Sequence, residues 1–143
     1  SENEAGGKVV RLNHNLTRDY KDNPDIVLRQ EWLTIMSKLG LSPEVRYDPG
    51  PMVAAQVYSA DNQLVVHLVN YNWDINTLST TPIREFDVEI VLPDNLDREG
   101  LTVSLHTPGE DAMELDVEES DAGIIVTIPE LHIWSVISVA TGS

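Results

Sequence analysis

Cysteine is absent from the 143 residues of this chain. Its absence excludes disulfide frameworks, thiolate metal centres and cysteine nucleophiles. It does not fix the compartment, because a chain without cysteine is compatible with either redox environment. The localisation is therefore unknown at this point, and an extracellular location is favoured.

Long apolar runs are also lacking. No run approaches the roughly 18 to 20 residues that a membrane span needs, and the opening Ser1–Glu4 is acidic where a signal peptide is basic. We therefore expect a soluble chain that carries no targeting segment and has no membrane partner.

Positive charge is scarce. The chain contains three lysines and six arginines but 24 Asp and Glu residues, so the formal net charge is −15. Such a chain repels phosphate backbones and anionic lipid, which argues against a nucleic-acid partner. The carboxylates are spread along the chain, a pattern typical either of a halophilic protein or of an acidic extracellular domain with no salt adaptation. Both interpretations remain open at this point.

The first third of the chain predicts a short strand and one helix. Val9, Val10 and Leu12 begin as a strand, Pro24 behind Asn23 favours a helix start, and Gly40 favours a helix stop. Helical spacing places five apolar residues on one face: Leu28, Trp32, Ile35, Met36 and Leu39. One βα pair cannot form its own core. We therefore interpret residues 1–48 as the tail of a preceding domain or as a segment packed on the next one.

Beyond Gly40 the apolar period changes to two, and turn formers separate the apolar runs. The pattern predicts a mainly β fold, an antiparallel β-sandwich of about eight strands over residues 49–143 with the amphipathic helix before it. In two segments, 85–92 and 113–117, apolar and acidic residues alternate strictly. Each segment therefore predicts a strand with one buried apolar face and one exposed acidic face. The predicted strands are 44–48, 52–59, 64–71, 85–92, 101–107, 113–117, 124–128 and 132–140.

Three segments carry a family resemblance: Gln63–Tyr71, Thr81–Pro93 and Val126–Ile137. Together they resemble the C-terminal β-sandwich of multidomain barrel-type glycoside hydrolases, including β-galactosidase-like and archaeal cellulase-like enzymes, over residues 53–140. The resemblance implies an accessory domain whose partners are other domains of the same polysaccharide-degrading enzyme. It also implies that the catalytic carboxylates lie in a barrel outside this chain, so there is no catalytic residue to assign here.

The residues themselves support no catalytic, metal or cofactor site. The sequence has no Gly-x-Ser-x-Gly motif and no phosphate-binding loop, and its four histidines lack zinc spacing. A calcium site of loop oxygens around Asp94, Asn95 and Asp97 is the one weak alternative, without EF-hand spacing. We therefore predict no cofactor, no metal and no enzyme activity in this chain.

Exposed aromatic side chains are the remaining signal, because pyranose rings stack on flat aromatic faces. Trp32 and Trp134 lie in apolar patterns and are expected in the core. Trp73 lies in a polar segment, so a tentative carbohydrate-binding set is Asn70, Tyr71, Asn72, Trp73 and Asp74. The favoured interpretation is instead that Trp73 closes one end of the sandwich. The function predicted is thus a structural accessory domain; a carbohydrate-binding module that takes an oligosaccharide is the alternative, and a cell-surface interaction domain a weaker one.

The charge predicts salt-dependent stability. Raising NaCl from 0.1 to 1 M shortens the Debye length from about 10 to about 3 Å and screens the mutual repulsion of the carboxylates. We expect the melting temperature to rise over this range in a thermal scan. A flat or falling melting temperature would contradict a halophilic adaptation.

Overall fold

The computed structural model describes residues 10, 12, 19, 26–47, 52–60, 63–93, 96 and 100–141. The chain divides into two units, Ser1–Pro43 and Glu44–Ser143. We describe each unit by itself.

The first unit contains the helix α1 (Ile26–Lys38). Gly40 ends it with φ +77°, while Leu41 N donates to Met36 O at 2.9 Å and Gly40 N donates to Ser37 O at 2.9 Å. These two bonds form a Schellman motif, which confirms the predicted stop. The predicted cap at Asn23 and Pro24 lies outside the described residues, and Val10 and Leu12 are described but lie in no strand.

The predicted apolar face of α1 is only partly confirmed. Ile35 is buried, and Leu28, Trp32 and Leu39 are half-buried. Met36 is exposed, as are the further apolar residues Val27 and Leu33. The helix therefore leaves apolar surface in contact with water on more than one side.

The second unit is a β-sandwich, as the sequence predicted. Its strands are β1 (Val45–Tyr47), β2 (Val53–Ala60), β3 (Gln63–Asn70), β4 (Trp73–Asp74), β5 (Ser79–Thr80), β6 (Ile83–Val91), β7 (Leu101–His106), β8 (Met113–Glu114), β9 (Glu118–Glu119), β10 (Gly123–Leu131) and β11 (Trp134–Thr141). The first sheet has the order β1-β6-β10-β9, and the second has the order β2-β3-β11-β7-β8. A separate two-stranded hairpin joins β4 to β5, and all the pairings are antiparallel.

The core lies between the two main sheets, where alternate side chains of each strand point inward. β3 contributes Leu64, Val66 and Leu68 from the second sheet, and β6 contributes Phe86, Val88 and Ile90 from the first. The buried apolar face predicted for residues 85–92 is therefore confirmed. Ile128 of β10 and Ile137 of β11 are fully buried in the same cluster.

The alternation predicted for residues 113–117 does not correspond to one strand. The segment contains β8, which pairs with β7 in the second sheet, and leads to β9, which pairs with β10 in the first. The chain crosses here from one sheet to the other, so a single pleat does not continue through it. Leu115 alone reaches the core, and Met113 and Val117 are exposed.

The two sheets differ sharply in the charge of their outer faces. The first sheet carries pairs such as Arg46–Glu89, with Nη1 and Oε2 3.0 Å apart, and Thr127 donates to Asp87 at 2.7 Å. By contrast, β2, β3, β7 and β11 contain no Asp, Glu, Lys or Arg at all. In a chain of net charge −15, the outer face of the second sheet is thus almost free of formal charge.

A pair of identical truncations tests where the core lies. Ile128 is fully buried and Ile75 is 75% exposed. We expect Ile128→Ala to lower the free energy of unfolding by about 2 to 5 kcal/mol, since it loses burial and leaves a cavity. The same change at Ile75 should stay within about 0.5 kcal/mol. Denaturant unfolding curves measure both, and equal effects would contradict the assigned core.

Candidate binding site at one end of the sandwich

The side chain of Asn70, at the end of β3, is buried and makes an unusual set of hydrogen bonds. Its Nδ2 approaches three carbonyl oxygens, those of Thr81 at 2.9 Å, Leu131 at 3.1 Å and His132 at 2.7 Å. Its Oδ1 accepts from Asn72 N at 2.8 Å. One amide therefore connects three separate stretches of backbone.

This position bears on the binding role that the sequence predicted for Asn70. The residue is only 5% exposed, and both ends of its amide are engaged by the backbone. A buried polar group must be satisfied, and here the protein itself satisfies it. Asn70 thus serves to position the surface around it.

The β4–β5 hairpin follows Asn70 directly and projects Trp73 outward. Trp73 pairs with Thr80 and Asp74 with Ser79, and Thr81 N donates to Asn72 O at 2.9 Å. The carboxylate of Asp74 accepts from Asn76 N at 2.8 Å and from Asn76 Nδ2 at 3.2 Å. The backbone hydrogen bond from Asn76 is the main reason that the pKa of Asp74 lies below its usual range.

The expectation that Trp73 closes the end of the sandwich is wrong. Its indole is 55% exposed, and Tyr71 is exposed beside it in the sequence. The reason is that the hairpin is a separate two-stranded element, while Asn70 and the core residue Leu131 occupy the interior at this end. Of the predicted set, Tyr71 and Trp73 are exposed and Asn72 and Asp74 are half-buried. A saccharide-binding role for them stays a prediction.

Trp134 was expected in the core and is also exposed, at 44%. It pairs with Val69, and the next residue, Ser135, takes the inward position together with Ile137 and Val139. The pleat therefore directs Trp134 to the outside. The fully buried Ser135 is satisfied by Thr107, with the two hydroxyl oxygens 3.0 Å apart.

A concave surface that sequence reasoning missed lies between the loop after β7 and the turn from β10 to β11. It has two parts, with volumes of about 220 Å³ and about 180 Å³, and both are lined by Thr107, Glu110 and His132. The larger part is completed by Pro108, Ile133 and Trp134, and the smaller one by Leu105, Asp111, Met113, Pro129 and Glu130. We call the two parts together the His132 groove.

The β6–β10 ladder is interrupted beside this groove. The β6–β10 ladder skips the pair Glu85 and Pro129, where Glu85 has φ +49° and proline has no N–H to donate. Arg84 and Glu130 remain opposite each other, with Nε and Oε1 2.6 Å apart. The other oxygen of Glu130 lies 3.2 Å from Nε2 of His132.

A sequence signal for this groove existed. Glu130, His132 and Trp134 are spaced by two, so an extended chain places them on one side, opposite the inward series that begins at Ser135. The apolar character of the closing strand obscured this polar and aromatic alternation.

The described residues offer little for metal or acid–base chemistry. Among them no group of three His, Asp or Glu side chains is placed to hold a metal ion, and the loop of Asp94, Asn95 and Asp97 lies outside them. No helix in the described part is long and apolar enough to cross a membrane. Besides Asp74, Glu89 has a displaced pKa, lowered first by the hydrogen bond from Arg46 and next by that from Ser120.

Comparison with known proteins shows similarity of fold. No family model matches the chain, and no curated protein sequence matches it. A solved structure of α-L-fucosidase isoenzyme 2 from Paenibacillus thiaminolyticus aligns with 98% of the chain at 16% identity and a TM-score of 0.64. A cycloisomaltooligosaccharide glucanotransferase from Paenibacillus sp., complexed with cycloisomaltoheptaose, aligns with 66% at 19% identity and a TM-score of 0.53. The aligned region spans 21% and 16% of those two chains, so this fold forms a small part of larger carbohydrate-active enzymes.

The Asn70 amide can be tested by exchanging it for a carboxylate. In Asn70→Asp the introduced group faces three carbonyl oxygens, so we expect a loss of at least about 3 kcal/mol of unfolding free energy at neutral pH. Burial raises the pKa of such a group above its unfolded value, so the loss should shrink as the pH falls toward about 4 and the carboxyl gains a proton.

The matched control is Asn72→Asp, the same exchange two residues further on. Asn72 contributes only a weak side-chain contact, with Nδ2 3.5 Å from Thr81 O. Unfolding curves of both variants and the wild type across this pH range give the measurement. An equal, pH-independent loss in the two variants would contradict the role assigned to Asn70.

Proposed function

We propose that this chain is a non-catalytic accessory domain of a polysaccharide-degrading glycoside hydrolase, and that it packs against another domain of that enzyme. The observation that carries the proposal is the nearly uncharged outer face of the second sheet, whose one charged strand residue is Glu114 of the edge strand β8. Four strands without one charged residue are unexpected in a chain of net charge −15, because solvated strand faces here are otherwise acidic.

The composition of this face supports a protein partner. Its side chains include the half-buried Val65, Val69 and Val136 and the exposed Tyr58, whose ring stands edge-on to His67 at a centroid distance of 5.4 Å. The centres of protein interfaces are depleted of charge and enriched in aromatic residues. The carboxylates that keep the chain soluble lie elsewhere, as on the first sheet.

The comparisons support the enzyme class to which the proposal assigns the chain. Two solved structures with a similar fold are carbohydrate-active enzymes, and the similar region is a minor fraction of each.

A carbohydrate-binding module remains the second candidate because Trp73 is exposed. A sugar ring can stack only on an exposed indole, and Trp73 meets this requirement. Its exposure is equally compatible with docking, because a residue that another domain covers in the whole enzyme is exposed in the isolated chain. The neighbours of Trp73 favour docking. Ile75 and Leu78 are both exposed on the same hairpin, and aliphatic side chains offer a sugar hydroxyl no hydrogen bond.

Two matched substitutions in the enzyme that contains this chain test the docking. Val136 and Ile125 are half-buried, β-branched residues on the outer faces of the second and first sheets. We expect Val136→Lys to place an unpaired charge in the interface and to uncouple the unfolding of this domain from that of its neighbour. Ile125→Lys should leave the coupling intact, because Ile125 pairs with Glu89 and Glu118. Calorimetry should show one transition in the control and two in Val136→Lys.

The isolated chain provides the folding control, in which both variants should melt close to the wild type. Identical calorimetric profiles for the two variants in the whole enzyme would contradict docking through the second sheet. Loss of saccharide binding in Trp73→Ala, with the melting temperature unchanged, would favour the binding module instead.

A further inference from the structure

The His132 groove is a second candidate for ligand recognition, remote in sequence from Trp73. We propose that it binds a single neutral pyranose unit, with the Trp134 indole as the stacking face and with Glu110 and Asp111 as acceptors for the sugar hydroxyl groups. The choice of a sugar rests on the proposed carbohydrate-active enzyme. Trp134 pairs with Val69, so the site adjoins the outer face of the second sheet, and its binding is tested on the isolated chain, where that face is bare.

The stacking wall is formed by Trp134 with Ile133 and Pro108 beside it. All three line the larger part of the groove, and the indole is close to half exposed. An exposed aromatic face accepts the C–H groups of a sugar ring. The volume of about 220 Å³ on this side is smaller than a pocket for a drug-sized ligand and is suited to one sugar ring.

The acceptors lie in the loop between β7 and β8. Glu110 N donates to Thr107 O at 3.1 Å, and Gly109 has φ +84°, so a turn fixes the start of this loop. Within the described part of the chain, neither the Glu110 nor the Asp111 carboxylate has a hydrogen-bond partner. Carboxylate oxygens accept bonds from hydroxyl donors and repel anionic ligands, which selects a neutral sugar over an acidic one.

His132 lines both parts of the groove and is held at two points. Its carbonyl oxygen accepts from Asn70 Nδ2 at 2.7 Å, and its Nε2 lies 3.2 Å from Glu130, which Arg84 holds in turn. In the neutral tautomer that donates from Nε2, Nδ1 is left as a further acceptor. Because the His132 side chain is already held by these contacts, it loses little conformational entropy when a ligand binds.

An organic cation is the competing ligand, because carboxylates and an indole also attract positive charge. Quaternary ammonium groups are usually recognised by cages of several aromatic rings. Among the described residues that line the groove, Trp134 is the only Trp, Tyr or Phe, and the remaining walls include Leu105, Pro108 and Pro129. The geometry therefore favours a single stacked ring over an enclosed cation.

Titration of the isotope-labelled full chain, monitored at the indole N–H signals of its three tryptophans, tests the proposal. The probes are methyl α-D-glucopyranoside, methyl α-L-fucopyranoside and, as a cation, tetramethylammonium chloride. We expect at least one glycoside to shift the Trp134 signal saturably with a dissociation constant in the millimolar range, while the Trp32 and Trp73 signals stay in place. Trp134→Ala should abolish the shift of nearby backbone signals, and Glu110→Gln should weaken binding several-fold.

Tyr58→Ala removes an exposed aromatic ring that does not line the groove; it is the matched control and should bind with unchanged affinity. If Trp134→Ala fails to fold, the double variant Glu110→Gln and Asp111→Asn gives the same test without removing the indole. The proposal is overturned by the absence of saturable binding for both glycosides, by a response to tetramethylammonium alone, or by loss of binding in Tyr58→Ala. Because these measurements use the isolated chain, their failure is distinct from a failure of docking in the whole enzyme.

Discussion

The buried amide of Asn70 is the interaction on which one end of this domain depends. Asn70 is the last residue of β3, the second strand of the second sheet. Its side-chain amide donates to the carbonyl of Thr81, just before β6, and to that of Leu131, at the turn between β10 and β11. Its main-chain N also donates to Ile133 O at 2.8 Å. If the amide were removed, one buried and two partly buried carbonyl groups would lose a donor at once, which would destabilise this end of the sandwich.

Both candidate surfaces are positioned by this amide. The hairpin that exposes Trp73 leaves the sheet at Asn70 and is held by the bond from Asn72 N. The turn that carries His132 and leads to Trp134 is held by the bonds to the Leu131 and His132 carbonyls. A polar residue in the interior thus controls where two exposed indoles lie. Both indoles stand at the first residue of their strands, Trp73 in β4 and Trp134 in β11, close in sequence to the segments that the amide holds.

The distribution of charge has a related consequence. The first sheet bears carboxylates that pair with arginines or hydroxyl groups on its outer face, as Glu89 does with Arg46 and Ser120. The second sheet bears none on its four longer strands, and its one charged strand residue is Glu114 of β8. A sheet face with so little charge costs less to desolvate than a charged face.

The sequence by itself determined the β-sandwich, the end of α1 at Gly40 and the dry face of β6, because each depends on a local pattern: the pleat, the left-handed turn and strict alternation. It could not determine which side of the closing strand faces the core. Ser135 and Trp134 differ by one position, and only pairing with Val69 and with the neighbouring strand fixes which of them points inward.

The sequence also could not show that residues 113–119 divide between two sheets, or that the Asn70 side chain is buried while that of Trp73 is exposed. These outcomes are set by contacts between residues as far apart as Asn70 and His132. The His132 groove likewise exists only because tertiary pairing brings the loop after β7 beside the turn that precedes β11.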